Sequence, residues 1–376
     1  MKFKIKSNYF AKGINIVSKA LSTKTPMPIL KSIKISTSNQ GITLMASDSN
    51  ITIKYFLPTE DHDTTKIFVE EEGEAAVPGR LMLDMLKKVT DENIEIALYE
   101  NKFIKVNFGH SDYTLNCLDV REYPDISLIS AENPIPINIA DLNELIKQTS
   151  ISISLSENRP ILTGINFKLE NQMLTCIATD SYRLSQKMIQ LDNNTSEPLN
   201  IVIPGKSLIE LEKILSGMSG NVELHSTPNI VSFKINNLTF QSRLLDGNYP
   251  ETSRLIPKEF GLTTEFNRSE LIHVIDRVSL LSREGATNII KFDIYDEKTI
   301  VSLDSPEVGR VVEELHSTSQ EGSPIRIGFN SKYLLDALKV LESEVIKIQF
   351  TGEVRPFILK TDDDSVIQLI LPVRIE

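Results

Sequence analysis

Cysteine is almost absent from this 376-residue chain, which holds only Cys117 and Cys176. Both lie in alternating, strand-like runs, so a disulfide framework is excluded; the pattern reads as small buried thiols in a reducing cytoplasm. Basic residues are outnumbered, with 40 Lys and Arg against 51 Asp and Glu, for a net charge of −11. That balance excludes a surface coated in cations, and any face that binds nucleic acid has to be local. Long apolar runs are missing as well. No stretch approaches the roughly 18 residues of a membrane span, and the opening Met1-Lys2-Phe3-Lys4-Ile5-Lys6 alternates like a strand instead of forming the apolar core of a signal peptide.

Signatures of chemistry are equally scarce. The five histidines, His62, His110, His225, His273 and His316, are scattered with no cysteine at ligand spacing, so no metal site is expected. The sequence contains no Gly-x-Ser-x-Gly elbow and no Gly-x-Gly-x-x-Gly turn. Pro204-Gly205-Lys206-Ser207 matches the tail of a phosphate loop, but Asn200 stands where that loop needs its first glycine. The reading is of a protein that is not an enzyme and takes no cofactor.

What the chain does have is repetition, which fixes architecture before any single motif does. Val77-Pro78-Gly79-Arg80, Ile203-Pro204-Gly205-Lys206 and Gly328-Phe329-Asn330-Ser331-Lys332 each run from a loop into an amphipathic helix. The intervals from Arg80 to Lys206 and from Lys206 to Lys332 are both 126 residues, and Asp84, Glu210 and Asp336 keep the same interval. Pro28-Ile29-Leu30 returns as Pro160-Ile161-Leu162, and Tyr123-Pro124 returns as Tyr249-Pro250. Asp-Ser recurs at Asp48-Ser49, Asp180-Ser181 and Asp304-Ser305, which suggests a turn in each repeat. A further helical pattern opens each unit at 9–21, 141–149 and 269–281, and alternating strands such as 165–169, 231–235 and 346–350 lie between helices. The prediction is an α+β protein of three tandem domains, 1–127, 128–257 and 258–376, each with two helices on antiparallel sheets. Linkers rich in turn formers run over 125–136 and 254–262.

Ala178-Thr179-Asp180-Ser181-Tyr182-Arg183-Leu184-Ser185 is the densest segment in functional groups. Asp180 and Arg183 could form a substrate-binding pair, or Asp180 could simply close a turn. Tyr182-Arg183-Leu184 has no counterpart in the other repeats, so this piece is specialised.

Along its whole length the chain resembles the beta subunit of bacterial DNA polymerase III, the sliding clamp. The motifs that carry the resemblance are Pro26-Met27-Pro28-Ile29-Leu30, Arg159-Pro160-Ile161-Leu162-Thr163-Gly164, Ala178 to Leu184, Leu245-Asp246-Gly247-Asn248-Tyr249-Pro250 and Leu371-Pro372-Val373-Arg374-Ile375. The resemblance implies clamp-fold domains assembled as a head-to-tail homodimeric ring that encircles duplex DNA without reading its sequence. It implies a joint through Tyr113 on one side and Leu280 and Leu281 on the other, and DNA contacts from Lys24 and Arg80, to which the repeat adds Lys206 and Lys332. It also implies a groove for short apolar peptides of the replicative polymerase, the clamp loader, other polymerases and repair proteins. The matching groove positions are Leu162, Thr179, Tyr182, Arg183, Leu184, Pro250, Arg254, Leu255, Leu371, Pro372, Val373 and Arg374. The aliphatic members would receive apolar side chains, and Arg183, Arg254 or Arg374 would hold polar ends; ordinary core packing is the alternative for each aliphatic residue. Tyr182 stands where many members carry His, Ser181 where some carry Gly, and Glu376 adds a terminal charge, which leaves pocket shape and peptide preference open. A clamp-like paralogue that serves no polymerase is the rival reading.

Overall fold

A computed structural model describes residues 1–22, 25–61, 64–191, 198–283, 288–296, 298–306 and 308–375. The chain divides into two compact units, Met1–Ile139 with Lys213–Leu244, and Ala140–Glu212 with Leu245–Glu376.

In the first unit, the alternation of the strands builds two antiparallel sheets with one dry face each. The five-stranded sheet runs in the order Ser111–Asn116, Phe103–Phe108, Asn93–Tyr99, Lys2–Lys6, Ile67–Glu71. The eight-stranded sheet runs Ile135–Asn138, Asn221–Ser226, Ile230–Ile235, Leu238–Arg243, Ile51–Pro58, Gly41–Ser47, Ser32–Ser38, Gly73–Pro78. Its middle is a seam between repeats: Leu238 pairs with Tyr55, Phe240 with Ile53 and Ser242 with Ile51. Helices Ser7–Val17 and Gly79–Leu86 touch each other, and Phe10, Ile14 and Val17 of the first are fully buried along with Met82 of the second. Their spacing of three and four residues turns those side chains to one face.

The second unit repeats the device. A nine-stranded sheet runs Leu199–Pro204, Gly164–Glu170, Met173–Thr179, Arg183–Gln190, Val366–Ile370, Phe357–Lys360, Val345–Phe350, Leu262–Asn267, Ser319–Gly322. Its seam pairs Arg183 with Ile370, Leu184 with Leu369, Ser185 with Gln368 and Lys187 with Val366. A four-stranded sheet runs Gly309–Leu315, Thr299–Ser305, Ile289–Ile294, Ile325–Asn330. Helices Arg268–Val278 and Ser331–Val340 pack together over a core that includes Phe292, Phe329, Phe350 and Phe357. Neighbouring rings in that series stand 4.9 to 5.2 Å apart. Each buried aromatic or aliphatic side chain there contributes about 1.5–3 kcal/mol by leaving water.

The α+β class holds. Compactness nevertheless cuts the chain differently from sequence repetition, because each seam fuses strands of two repeats into one continuous sheet. Helices Ile139–Thr149 and Gly205–Leu215 supply the middle repeat's pair. Both cysteines are free thiols; Cys176 is fully buried, whereas Cys117 is only partly covered, and burial pushes its thiol up to about 11.

Candidate functional site

The specialised segment 179–184 leaves strand Met173–Thr179, turns, and enters strand Arg183–Gln190. Asp180 closes the turn: its Oδ1 accepts the backbone N–H groups of Tyr182 at 2.9 Å and Arg183 at 3.0 Å. Ser181 takes a φ of 78°, which such a short polar residue tolerates. The Thr179 hydroxyl donates to the Arg183 carbonyl at 2.7 Å, and the Thr179 N–H donates to the Tyr249 hydroxyl at 2.9 Å. This last bond ties the loop before Pro250 to the turn, and burial pushes the Tyr249 phenol well above its usual range. The first repeat builds the same turn, with Asp48 Oδ1 accepting from Asn50 and Ile51 and with Ser49 at a φ of 80°. The third does not. Asp304 and Ser305 lie at the end of a strand, paired with Arg310 and Gly309, so the Asp-Ser pair itself makes the turn in two repeats, while in the third the chain turns just after it.

Arg183 departs from the expectation of a cation waiting for a ligand. Its Nε donates to Asp180 Oδ2 at 3.0 Å, its Nη1 donates to Asp336 Oδ2 at 2.8 Å, and its guanidinium lies 4.4 Å from the centre of the Tyr333 ring. With a side-chain exposure of 12%, it clamps strand Arg183–Gln190 to helix Ser331–Val340. This arrangement also disposes of the substrate-pair alternative, since the Asp180 carboxylate is taken up by its own turn and by Arg183. Asp336 was visible in the sequence as the third member of the acidic series, yet nothing in that series named Arg183 as its partner.

The other groove positions fall into two groups. Leu162 and Leu184 are buried, at 3% and 1% exposure, so they form floor rather than open wall. Leu184 packs with Ile358, Ile367 and Leu369, and Ile256 and Phe260 lie against that cluster. Neither Ile256 nor Phe260 was singled out from the sequence. Tyr182, Leu255, Leu371 and Val373 are exposed, at 63%, 53%, 37% and 37%, and Pro250, Arg254 and Arg374 are exposed too. The closing segment is stretched between two sheets: the Leu371 N–H donates to the Tyr182 carbonyl at 2.9 Å, and the Val373 N–H donates to the Gly328 carbonyl at 2.7 Å. A Cβ on Gly328 would stand 2.3 Å from the Ile375 side chain, so a larger residue there would have to displace the closing segment. Tyr182 and Leu371 are thus brought together over the Leu184 floor, with the 245–250 loop lying along 161–164, where a Cβ on Gly164 would meet Leu245. Neither the Arg254 nor the Arg374 side chain makes a hydrogen bond or ion pair among the described residues.

Arg80, Lys206 and Lys332 each occupy the second position of a helix and are exposed, with no ion pair among the described residues. Lys24 and Glu376 lie outside the described residues. Tyr113 is exposed on strand Ser111–Asn116 and stacks on Phe108 at 5.4 Å; Leu280 is exposed, and Leu281 packs partly against the core of the third repeat.

Sequence models of the N-terminal, central and C-terminal domains of the DNA polymerase III beta subunit match residues 1–127, 136–251 and 253–374. The chain belongs to the DNA polymerase III beta subunit family. It is 40% identical to the beta sliding clamp of Staphylococcus epidermidis over 375 residues, covering 100% of this chain and 99% of that one; the Staphylococcus aureus protein gives the same figures. The crystal structure of the DNA polymerase sliding clamp from Bacillus subtilis superposes with a TM-score of 0.96 at 41% identity, and that of the Streptococcus pneumoniae DNA polymerase III beta chain with 0.95 at 36%. Both cover all of either chain. Three clamp domains and the role of a sliding clamp in DNA replication, a processivity factor with no reaction of its own, come with that membership. Partnership with DNA and a polymerase is part of the same role. No helix among the described residues is long and apolar enough to cross a membrane.

Proposed function

We propose that two copies of this chain close head to tail into a ring around duplex DNA. One observation carries the reading: the seams inside the chain recur as open edges at its two ends. Within the chain, the strand after the Asp-Ser pair of one repeat zips to the last strand of the next, as Ile51–Pro58 does with Leu238–Arg243 and Arg183–Gln190 with Val366–Ile370. The equivalents left over are Gly309–Leu315 and Ser111–Asn116. Among the described residues each pairs on one side only, with Thr299–Ser305 and Phe103–Phe108. An open edge is a row of unsatisfied N–H and C=O groups, and pairing with a second copy satisfies both edges at once. Exposed Tyr113 and Leu280 would pack at that joint, with Leu281 beneath.

Domain boundaries after residues 127 and 257 suit this arrangement, as does a cytoplasmic location. Arg80, Lys206 and Lys332 would contact phosphates, supplying affinity without sequence reading. Tyr182, Pro250, Leu255, Leu371, Pro372 and Val373 would receive apolar peptide side chains of the replicative polymerase, clamp loader, other polymerases and repair proteins. Leu162, Thr179, Leu184 and Arg183 would fix the floor, and Arg254 and Arg374 would meet polar ends.

The test is topological. The protein is loaded onto nicked circular DNA with its own organism's clamp loader and ATP, the circle is then linearised, and co-elution is followed by gel filtration. Retention on the circle and release after cutting are expected. Retention unchanged by cutting would replace encirclement with direct binding.

A further inference from the structure

The repeat that generates the peptide groove generates a second cleft in the first unit. The same three devices surround it: the Pro28–Lys31 turn in place of Pro160–Thr163, the Asp48-Ser49 turn in place of Asp180-Ser181, and the Tyr123-Pro124 loop in place of Tyr249-Pro250. The cleft measures about 420 Å³. Its scaffold is as well fixed as that of the groove. Tyr123 is buried with Ile29, Leu30 and Ala76, and the Ser47 hydroxyl donates to the Ile51 carbonyl at 3.0 Å, just as Thr179 donates to Arg183.

The lining differs where it meets solvent. Ser47 and Thr52 bond to each other at 2.9 Å, so the polar floor is satisfied and does not demand a polar ligand atom. Met27, Ile126 and Ile230 give apolar walls at least partly open to solvent. Two exposed charges stand at the edge, Arg243 and Asp125, and neither has an ion-pair partner among the described residues. In the groove of the second unit the corresponding turn carries Arg183, which is consumed by Asp180 and Asp336; here Ile51 takes that position, and the exposed cation Arg243 comes from the end of strand Leu238–Arg243.

We propose that this cleft is a second peptide site, taking an extended segment of a partner protein in which aliphatic side chains are flanked by a basic residue on one side and an acidic one on the other. The aliphatic side chain fills the space between Met27, Ile126 and Ile230, the acid pairs with Arg243, and the base pairs with Asp125. The cleft has the volume of a small-ligand pocket, and the opposite charges at its edge select orientation as well as composition. The inference borrows only its geometry from the groove proposed above and does not require that groove to bind anything.

The probe is a fluorescein-labelled hexapeptide, Ser-Lys-Leu-Leu-Glu-Ser, titrated with the full-length protein and read by fluorescence anisotropy. Saturable binding is expected, weakened at least tenfold by Arg243→Glu and unchanged by Leu371→Asp. The companion peptide with lysine replacing its glutamate should bind Arg243→Glu better than it binds the unaltered protein. Equal affinity for the unaltered protein and Arg243→Glu, or no saturable binding to the unaltered protein, would overturn the proposal. Loss of binding in Leu371→Asp would also overturn it, by assigning the probe to the groove. The groove reading stands or falls separately, on whether Leu371→Asp loses a polymerase-derived peptide.

Discussion

The two linkers between repeats lie on equivalent stretches of sheet, yet different forces hold them. In the first unit, the chain around 127–131 is pinned by hydrogen bonds: buried Gln241 accepts the Ile129 N–H at 2.9 Å and donates to the Ser127 carbonyl at 3.2 Å. Buried His225 accepts the Ala131 N–H through Nδ1 at 2.9 Å. In the second unit, Ile256 and Phe260 are pressed onto Leu184, Ile358, Ile367 and Leu369. Polar pins hold backbone at chosen atoms and fail one bond at a time. Apolar packing holds area and fails through cavities, so the second linker is coupled to the groove floor and the first is not.

That contrast can be broken most forcefully at Leu184. Leu184→Ala removes buried side-chain volume beneath Ile256 and should cost about 2–5 kcal/mol, read by thermal or urea unfolding. Because the same side chain floors the groove, peptide affinity should fall with stability, a coupling that equal affinity in a folded variant would refute. Next in size, Arg183→Ala strands the Asp336 carboxylate and frees the strand from helix Ser331–Val340, for a loss of about 1–3 kcal/mol. Its effect on peptide binding should come through a displaced Tyr182 wall, so a crystal structure of the variant should show the 180–183 turn shifted. At the first linker, Gln241→Leu keeps the shape but orphans the Ile129 N–H and the Ser127 carbonyl, which should cost about 1–2 kcal/mol. Amide exchange should quicken at Ile129 while the 256–260 segment keeps its protection; quickening at both would mean that the linkers respond together.

The smallest effect is electrostatic. Burial works against the Asp363 carboxylate, but hydrogen bonds from Ser365 and Lys187 outweigh it and set the pKa below its ordinary 3.8. A depressed acid pKa stabilises the fold above the unfolded value and loses that stabilisation as pH falls through the folded one. Asp363 is largely exposed, so the contribution is small. Unfolding followed from pH 5 down to pH 2 should show an acid-dependent loss below about pH 4 that Asp363→Asn reduces. An unchanged acid profile in the variant would assign the loss to other carboxylates. Either way the Gln241 pins, which do not titrate, should be indifferent to this range.

The repeat was legible because it is written in residues whose conformational demands are local. Pro-Gly before a helix, Asp-Ser at a turn and Tyr-Pro in a loop each report their own backbone, and Arg80, Lys206 and Lys332 mark three helix starts at a constant interval of 126 residues, which leaves little room for chance. The same locality explains the one turn that failed. Asp304-Ser305 has the letters of the turn, but strand pairing with Arg310 and Gly309 extends through the pair and moves the turn beyond it. Groove membership was legible only through resemblance, and it did not distinguish exposed Tyr182 and Leu371 from buried Leu184 and Leu162.

The sequence by itself determined the element types, the threefold repetition, the shortage of cysteine and cation, and the specialisation of 179–184, because propensity, periodicity and composition are properties of neighbouring residues. Tertiary structure decided which edge strands zip to which, that Arg183 is spent on Asp180 and Asp336, and whether a linker is held by Gln241 or by an apolar floor. Those outcomes depend on atoms that are distant along the chain and meet only after folding. A hydrogen bond between residues 112 positions apart, or an ion pair spanning 153, leaves no periodic trace in the sequence for local reasoning to find.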